Sequence, residues 1–285
     1  VSLAPHLIDR VVRMALDEDA PWGDITSETL IPADAIVTAQ LVAREDGVLC
    51  GEEIFAAAMM LCDPGIVVEF EVSDASRFVR GATIATISGP ARGVLRGERV
   101  ALNFTQRLSG IATMTAQYVA ETAGTKARIV DTRKTTPGLR QFERYAVRCG
   151  GGGNHRFSLS DAVMAKDNHL AIMTQSSGLT LTDALLEARK RLSHTTHLEV
   201  EVDRPDQIEA VVAGGVDTIM LDNFSTEAMQ AAVLQIAGRA LVEASGGITL
   251  GRIREIAETG VDLISVGALT HSVRALDLGL DIAIF

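Results

Sequence analysis

Residues 198–222 read LEVEVDRPDQIEAVVAGGVDTIMLD. Leu198, Val200 and Val202 alternate with Glu199 and Glu201, which is the two-residue period of a strand. Pro205–Ala213 changes to helical spacing. Thr218–Asp222 then returns to a short apolar run that ends in an acid. Strand, helix and strand in so short a stretch imply parallel strands joined by a crossover helix.

The same unit recurs after residue 125. Strands are expected at Arg128–Asp131, Ala162–Lys166, Leu198–Val202, Thr218–Asp222, Leu241–Ser245 and Leu263–Gly267. Helices are expected at Leu139–Val147, Leu181–Leu192, Pro205–Ala213, Thr226–Ile236 and Leu250–Glu258. Most of these strands end in a polar or charged residue, as in a β/α barrel whose strand ends carry the active site. An open doubly wound sheet would normally show a glycine-rich turn after its first strand. Here that turn is the cationic DTRKTTPG, residues 131–138.

The first hundred residues have another rhythm. An amphipathic helix with Leu7, Val11, Met14 and Ala15 on one face is stopped by Pro21-Trp22-Gly23-Asp24. Strand-like pieces follow at 36–49, 66–72 and 83–87, interrupted by a helix at 52–61. Residues 92–123 are helical in pattern, with a break expected at Ser109-Gly110. The chain is therefore divided into 1–109 and 110–271, with a tail, 272–285, read as helical and packed back on the first domain.

Alternation also says where charges point. The helix-covered face of a barrel strand is apolar, so Glu199 and Glu201 face inward. The same logic groups Asp131 with Arg133 and Glu243 with Ser245. Asp222 and Lys166 close their strands. Charges inside a barrel cost several kcal/mol each unless paired, an order-of-magnitude figure of about that size. One such residue is as well explained by a structural ion pair; several at successive strand ends point to chemistry.

Cations cluster in the same region. Between Arg128 and Arg156 seven Arg or Lys stand against Asp131 and Glu143. Arg140, Arg144 and Arg148 are spaced as one solvated helix face. Arg133, Lys134, His155 and Arg156 lie in loops instead, where guanidinium forks suit carboxylates and phosphates. Ser245-Gly246-Gly247 and Gly267 each follow a strand, where backbone N–H groups can cradle a phosphate. Gly150–Gly153 precede Asn154-His155-Arg156 but form no P-loop, because no Gly-Lys-Ser/Thr follows. Glu201 and Asp222 offer hard oxygen ligands for Mg²⁺ or for ribose hydroxyls.

Composition narrows the class. The 285 residues are 47% hydrophobic and 22% charged, a globular mixture. Lys and Arg number 26 against 37 Asp and Glu, a net charge of −11, which argues against nucleic acid as a partner. The longest apolar run, Ile54–Leu61, is too short to span a membrane. Three cysteines without a CxxC pair and an N-terminus without a signal-peptide core point to the cytoplasm. No GxSxG, HExxH or similar hydrolase motif is present.

The motifs WGDIT (22–26), GERVALNFTQRLSGIAT (97–113), DTRKTTPGLR (131–140), GGGNHR (151–156), AKDNH (165–169), LEVEV (198–202), MLDNF (220–224), VEASGGI (242–248) and LISVGALT (263–270) cover nearly the whole chain. Together they resemble the quinolinate phosphoribosyltransferase family. Val100 stands where similar sequences often carry Thr. The resemblance implies an α/β fold, with an N-terminal α/β sandwich domain followed by an incomplete, about seven-stranded TIM-like α/β barrel. It implies transfer of phosphoribose from 5-phosphoribosyl 1-pyrophosphate to quinolinate, giving nicotinate mononucleotide, pyrophosphate and CO₂, with Mg²⁺, in de novo NAD synthesis.

By the family pattern, Arg133, His155, Arg156 and Lys166 hold quinolinate, helped by Arg99 and with Thr132 in the same binding motif. Lys134 faces the pyrophosphate. Glu201 and Asp222 contact the ribose and its Mg²⁺, directly or through water or substrate. Ser245, Gly246, Gly247 and Gly267 bind phosphate, with His271 nearby. Lys134, Lys166, Glu201 and Asp222 form the implied catalytic set. The resemblance further implies a homodimer in which Arg99 enters the neighbouring subunit's site. A nicotinate-specific transferase would need fewer cations for its single carboxylate. A sugar-phosphate barrel enzyme would need no pyrophosphate donor. A lipoyl-type carrier would need a lysine at a hairpin tip, and Arg44-Glu45-Asp46-Gly47 has none.

Overall fold

The computed structural model describes residues 2–282. The chain forms two compact units. One comprises residues up to Ala116, Thr136–Gly151 and the tail from Ser272; the other comprises Gln117–Thr135 and Gly152–His271.

The first unit opens with α1 (Pro5–Asp19), which buries Ile8, Val11, Val12 and Leu16. This face is turned from the one read in the sequence, and Met14 is 63% exposed. Asp24 then caps α2 (Ile25–Leu30) by accepting the Ser27 N–H at 3.1 Å. β1 (Ile36–Ala43), β2 (Gly47–Val48), α3 (Glu52–Cys62), β3 (Val67–Phe70), β4 (Arg77–Phe78) and β5 (Thr83–Pro90) follow. β1 lies antiparallel to β5, and β5 to β3. Ala39, Leu41 and Ala43 of β1 are buried in alternation, as a sheet covered on one face requires.

α4 (Ala91–Glu121) runs without the expected break. Gly110 serves close approach instead: a Cβ there would meet the Arg274 carbonyl oxygen at 2.2 Å. The neighbouring Ser109 hydroxyl accepts the Cys50 N–H at 3.0 Å.

The second unit is built on β6 (Arg128–Val130), after which α5 (Arg140–Cys149) returns to the first unit. β7 (Val163–Ala165), α6 (Asp167–Ser177), α7 (Leu181–Arg191), β8 (Leu198–Val202), α8 (Ile208–Ala213), β9 (Thr218–Asp222), α9 (Thr226–Ile236), β10 (Leu241–Ser245), α10 (Ile253–Glu258), β11 (Leu263–Ser265) and α11 (Ala268–His271) complete it. Six parallel strands pair in the order β6-β11-β10-β9-β8-β7, the sheet of a TIM-like α/β barrel. All six coincide with strands expected from sequence. Gly153 adds a single parallel bridge to Val130, and its N–H reaches the Ile129 carbonyl at 2.8 Å. One bridging residue thus stands beside β6 where a seventh strand would pair.

Two further expectations are corrected. The tail is extended, not helical: β12 (Leu278–Ile282) pairs antiparallel with β1 in the first unit, while residues 283–285 of the tail lie outside the described residues. Edge pairing satisfies its backbone, and the Gln106 side-chain amide donates to the Leu278 carbonyl at 2.7 Å. On α5 the solvated-face reading holds for Arg148 and fails for Arg144, which is only 9% exposed. Beside it, fully buried Glu143 accepts from Arg107 Nε at 2.9 Å.

Candidate active site

The carboxyl ends of the six parallel strands surround a cavity of about 710 Å³. Thr132, Arg133 and Lys134 enter it from the loop after β6, and Lys166 from the end of β7. Glu201 and Asp222 come from the adjacent strands β8 and β9. His155 and Arg156 come from the loop that follows the Gly153 bridge. Pleating explains the selection, because Glu201 and Glu199 share the face of β8 opposite Leu198, Val200 and Val202.

Positive charge is concentrated here. The Arg156 guanidinium lies below its ordinary value, through burial first and the charge of Arg133 second. Its Nη1 donates to the Ala162 carbonyl at 3.1 Å, which fixes the fork. Lys166 Nζ pairs with Glu201 Oε2. The Lys134 carbonyl accepts the Thr270 hydroxyl at 2.7 Å, and the Lys134 N–H donates to Thr132 Oγ1 at 3.1 Å.

Beneath the cations lies a buried acidic floor. Asp131 is fully buried; one of its oxygens accepts the His155 N–H at 2.8 Å and the other accepts Asn154 Nδ2 at 2.6 Å. His155 Nε2 stands 3.0 Å from Glu199 Oε2 and 3.6 Å from Glu243 Oε1. Its Nδ1 accepts the Arg156 N–H at 2.8 Å, so the neutral ring carries its proton on Nε2 and donates toward Glu199. Burial alone would lower the imidazole's pKa, but the Glu199 hydrogen bond and the charges of Glu243, Glu199 and Asp131 outweigh it and raise it. Protonation at Nδ1 would in turn displace the Arg156 N–H. Glu199 and Glu243 are 4% and 1% exposed, so the two side chains meet the ring out of reach of bulk water.

Glycines form another part of the lining. Gly246 has φ +93°, and a Cβ there would meet Asn223 Oδ1 at 2.2 Å. Gly267 leaves room for its neighbours; a Cβ would crowd His271 Nε2 at 3.0 Å and Lys134 Cδ at 3.1 Å. Ser245, Gly247 and His271 line the same cavity.

Of the residues expected at the site, only Arg99 is not among the cavity's lining residues; it lies exposed on α4 in the first unit. Sequence reasoning placed Glu199 and Glu243 inward without assigning them to the site. It missed Asn223, together with Met164 and Met220, which supply an apolar part of the lining. The strand-terminal position of Asn223, just after Asp222, was the available signal.

Cations, glycine cradles and two strand-end acids at the mouth of an α/β barrel define an enzyme class that handles phosphorylated, multiply anionic reactants. Residues 24–109 match the N-terminal domain of quinolinate phosphoribosyl transferase, and residues 111–281 match its C-terminal domain. The chain belongs to that family. It is 43% identical over 280 residues to nicotinate-nucleotide pyrophosphorylase (carboxylating) of Mycobacterium leprae, covering 95% of each chain. It is 40% identical over 267 residues to the probable Bacillus subtilis enzyme of the same name, covering 94% of this chain and 90% of the relative. The solved structure of the Francisella tularensis nicotinate-nucleotide pyrophosphorylase superposes with a TM-score of 0.92 at 39% identity, covering 99% of this chain and 98% of that one.

The floor has a measurable signature. Burial, and then the charge of Glu199, push the Glu243 carboxyl up to about 7 against the opposing pull of His155. The folded protein therefore keeps a proton that the unfolded chain releases near 4.5. The stability this gives is complete below that value and is lost as pH rises through about 7. Melting curves from about pH 5 to about pH 8 should show a smaller decline in Glu243→Gln than in the parent. Equal declines would contradict the assignment.

Proposed function

We propose that the chain catalyses carboxylating phosphoribosyl transfer. Quinolinate and 5-phosphoribosyl 1-pyrophosphate give nicotinate mononucleotide, pyrophosphate and CO₂, a step of de novo NAD synthesis. The observation that carries this reading is the convergence of Arg133, Lys134, His155, Arg156 and Lys166 on one cavity in a chain of net charge −11. The names of the relatives support the same reaction.

In this reading Arg133, Arg156, His155 and Lys166 hold the two carboxylates of quinolinate. Charge-assisted hydrogen bonds of this kind contribute roughly 1.5–3 kcal/mol each. Backbone N–H groups at Ser245, Gly246, Gly247 and Gly267 take phosphate, with His271 beside them and Thr132 ordering the cationic turn. Lys134 faces the pyrophosphate and stabilises its departure. As that bond breaks, the ribose carbon gains oxocarbenium character, which the carboxylates of Glu201 and Asp222 offset electrostatically. Bond formation at the pyridine nitrogen gives a pyridinium. Departure of the 2-carboxylate as CO₂ leaves an electron pair on ring carbon 2, which the adjacent cationic nitrogen stabilises electrostatically as an ylide until a proton from water takes the carboxylate's place.

Glu201 and Asp222 also suit Mg²⁺. They end neighbouring strands, and Asp222 Oδ2 accepts Asn223 Nδ2 at 2.9 Å while Glu201 Oε2 pairs with Lys166. Each thereby keeps a second oxygen without a protein hydrogen bond among the described residues, the hard donor set that Mg²⁺ takes. When bound, the ion supplies charge neutralisation on the leaving pyrophosphate. A homodimer is part of the same reading, with Arg99 of one copy completing the pocket of the other, as is a cytoplasmic location. Among the described residues no helix is long and apolar enough to cross a membrane.

Product analysis tests the reaction. With quinolinate, the sugar donor and Mg²⁺, the parent should release CO₂ and pyrophosphate in equal amounts, and Lys166→Ala should lose about 10²-fold or more in turnover. Equal turnover by the variant, or no CO₂ from quinolinate, would sink the reading. Mixing Arg99→Ala with Lys166→Ala should restore part of the activity through one intact site per heterodimer. No recovery in a confirmed heterodimer would remove Arg99 from the neighbouring site.

A further inference from the structure

The first unit holds a second group of reactive side chains. Cys50 lies between β2 and α3, and Cys149 is the last residue of α5. The two sulfurs and a carboxylate oxygen of Asp74 all lie within 4.8 Å of one another. Both cysteines are held against α4. The Cys50 N–H donates to Ser109 Oγ at 3.0 Å, and its carbonyl accepts the Ser109 hydroxyl at 3.2 Å. Cys149 is followed by Gly150, where a Cβ would meet the Ala112 carbonyl oxygen at 2.4 Å and Thr115 Cβ at 2.5 Å. Only a glycine lets the end of α5 come this close, so the backbone fixes both sulfurs side by side.

The surroundings distinguish a thiol pair from a metal site. Asp74 is already committed: Oδ1 accepts the N–H groups of Gly51 and Glu52 at 2.8 and 3.2 Å, capping α3, and Oδ2 accepts the Tyr145 hydroxyl at 2.8 Å. A bound cation would compete with all three donors. The sulfurs are also unequal. Cys50 is fully buried, and burial pushes its thiol up. Cys149 is 9% exposed, and hydrogen bonding from Cys50 outweighs burial and lowers its thiol below the ordinary value, with further help from Tyr145 and Arg148. A more accessible, more acidic thiol beside a buried partner is the arrangement of an attacking and a resolving cysteine.

We propose that Cys149 and Cys50 form a reversible disulfide when the protein meets a hydroperoxide. The Cys149 thiolate attacks one peroxide oxygen; the O–O bond breaks, giving the sulfenic acid and hydroxide. The Cys50 sulfur then attacks the sulfenic sulfur and expels its oxygen, which leaves as water with the Cys50 proton. With hydrogen peroxide, the hydroxide takes up the proton that Cys149 lost on ionising, so the two thiols give up two electrons and the peroxide becomes two waters. Thiols restore the pair by exchange. Cys62, raised by burial and outside the cluster, is the internal control.

The test uses the full chain and hydrogen peroxide. The free-thiol count of the denatured protein should fall from three to one, with a Cys50–Cys149 cross-linked peptide that dithiothreitol removes. In Cys50→Ser the reaction should stop at Cys149 sulfenic acid, trapped by dimedone. Three surviving thiols in the parent, or separate sulfinic acids at Cys50 and Cys149 without a cross-link, would overturn the proposal.

Discussion

Arg133 stands close enough to Arg156 to lower its hold on its proton. Two guanidiniums with Lys134, Lys166 and His155 around one cavity repel one another wherever water is partly excluded. Two things offset that repulsion. Below the cations, Asp131, Glu199 and Glu243 form a buried negative layer, in contact with His155. In the proposed reaction, the anionic reactants that enter the cavity supply the second offset.

The scaffold serves that balance. Parallel strands deliver their carboxyl ends to one edge, so residues distant in sequence meet without long loops. Short local bonds then fix each side chain: Asp131 locks Asn154 and His155, Ala162 holds Arg156, and Glu201 holds Lys166. The missing side chains of Gly246 and Gly267 leave room for Asn223 in the one case and for His271 and Lys134 in the other.

How much of this was legible depended on how local the cause was. All six barrel strands could be read because each is a short Val-, Ile- or Leu-rich piece, alternating with glutamates in β8, and most end in a polar or charged residue. Glu199 and Glu243 could be placed inward by alternation, but their contacts with His155 depend on distances between strands, which no single stretch records. α6 was missed because only Leu170 of its residues is buried, so it has no apolar stripe. The tail looked helical because its pairing partner, β1, lies more than two hundred residues away. Gly110 looked like a helix breaker for the same reason, since the carbonyl it accommodates comes from Arg274 in that tail. Arg144 appeared to be part of a solvated stripe, and its burial comes from tertiary packing that helical spacing cannot show.

In the proposed reaction this cavity selects for two carboxylates on one pyridine ring. Calorimetric titration with quinolinate and with nicotinate at one fixed salt concentration tests it most directly. The diacid should bind at least about tenfold more tightly, a difference of about 1.4 kcal/mol. Equal affinities, or a preference for the monoacid, would contradict it.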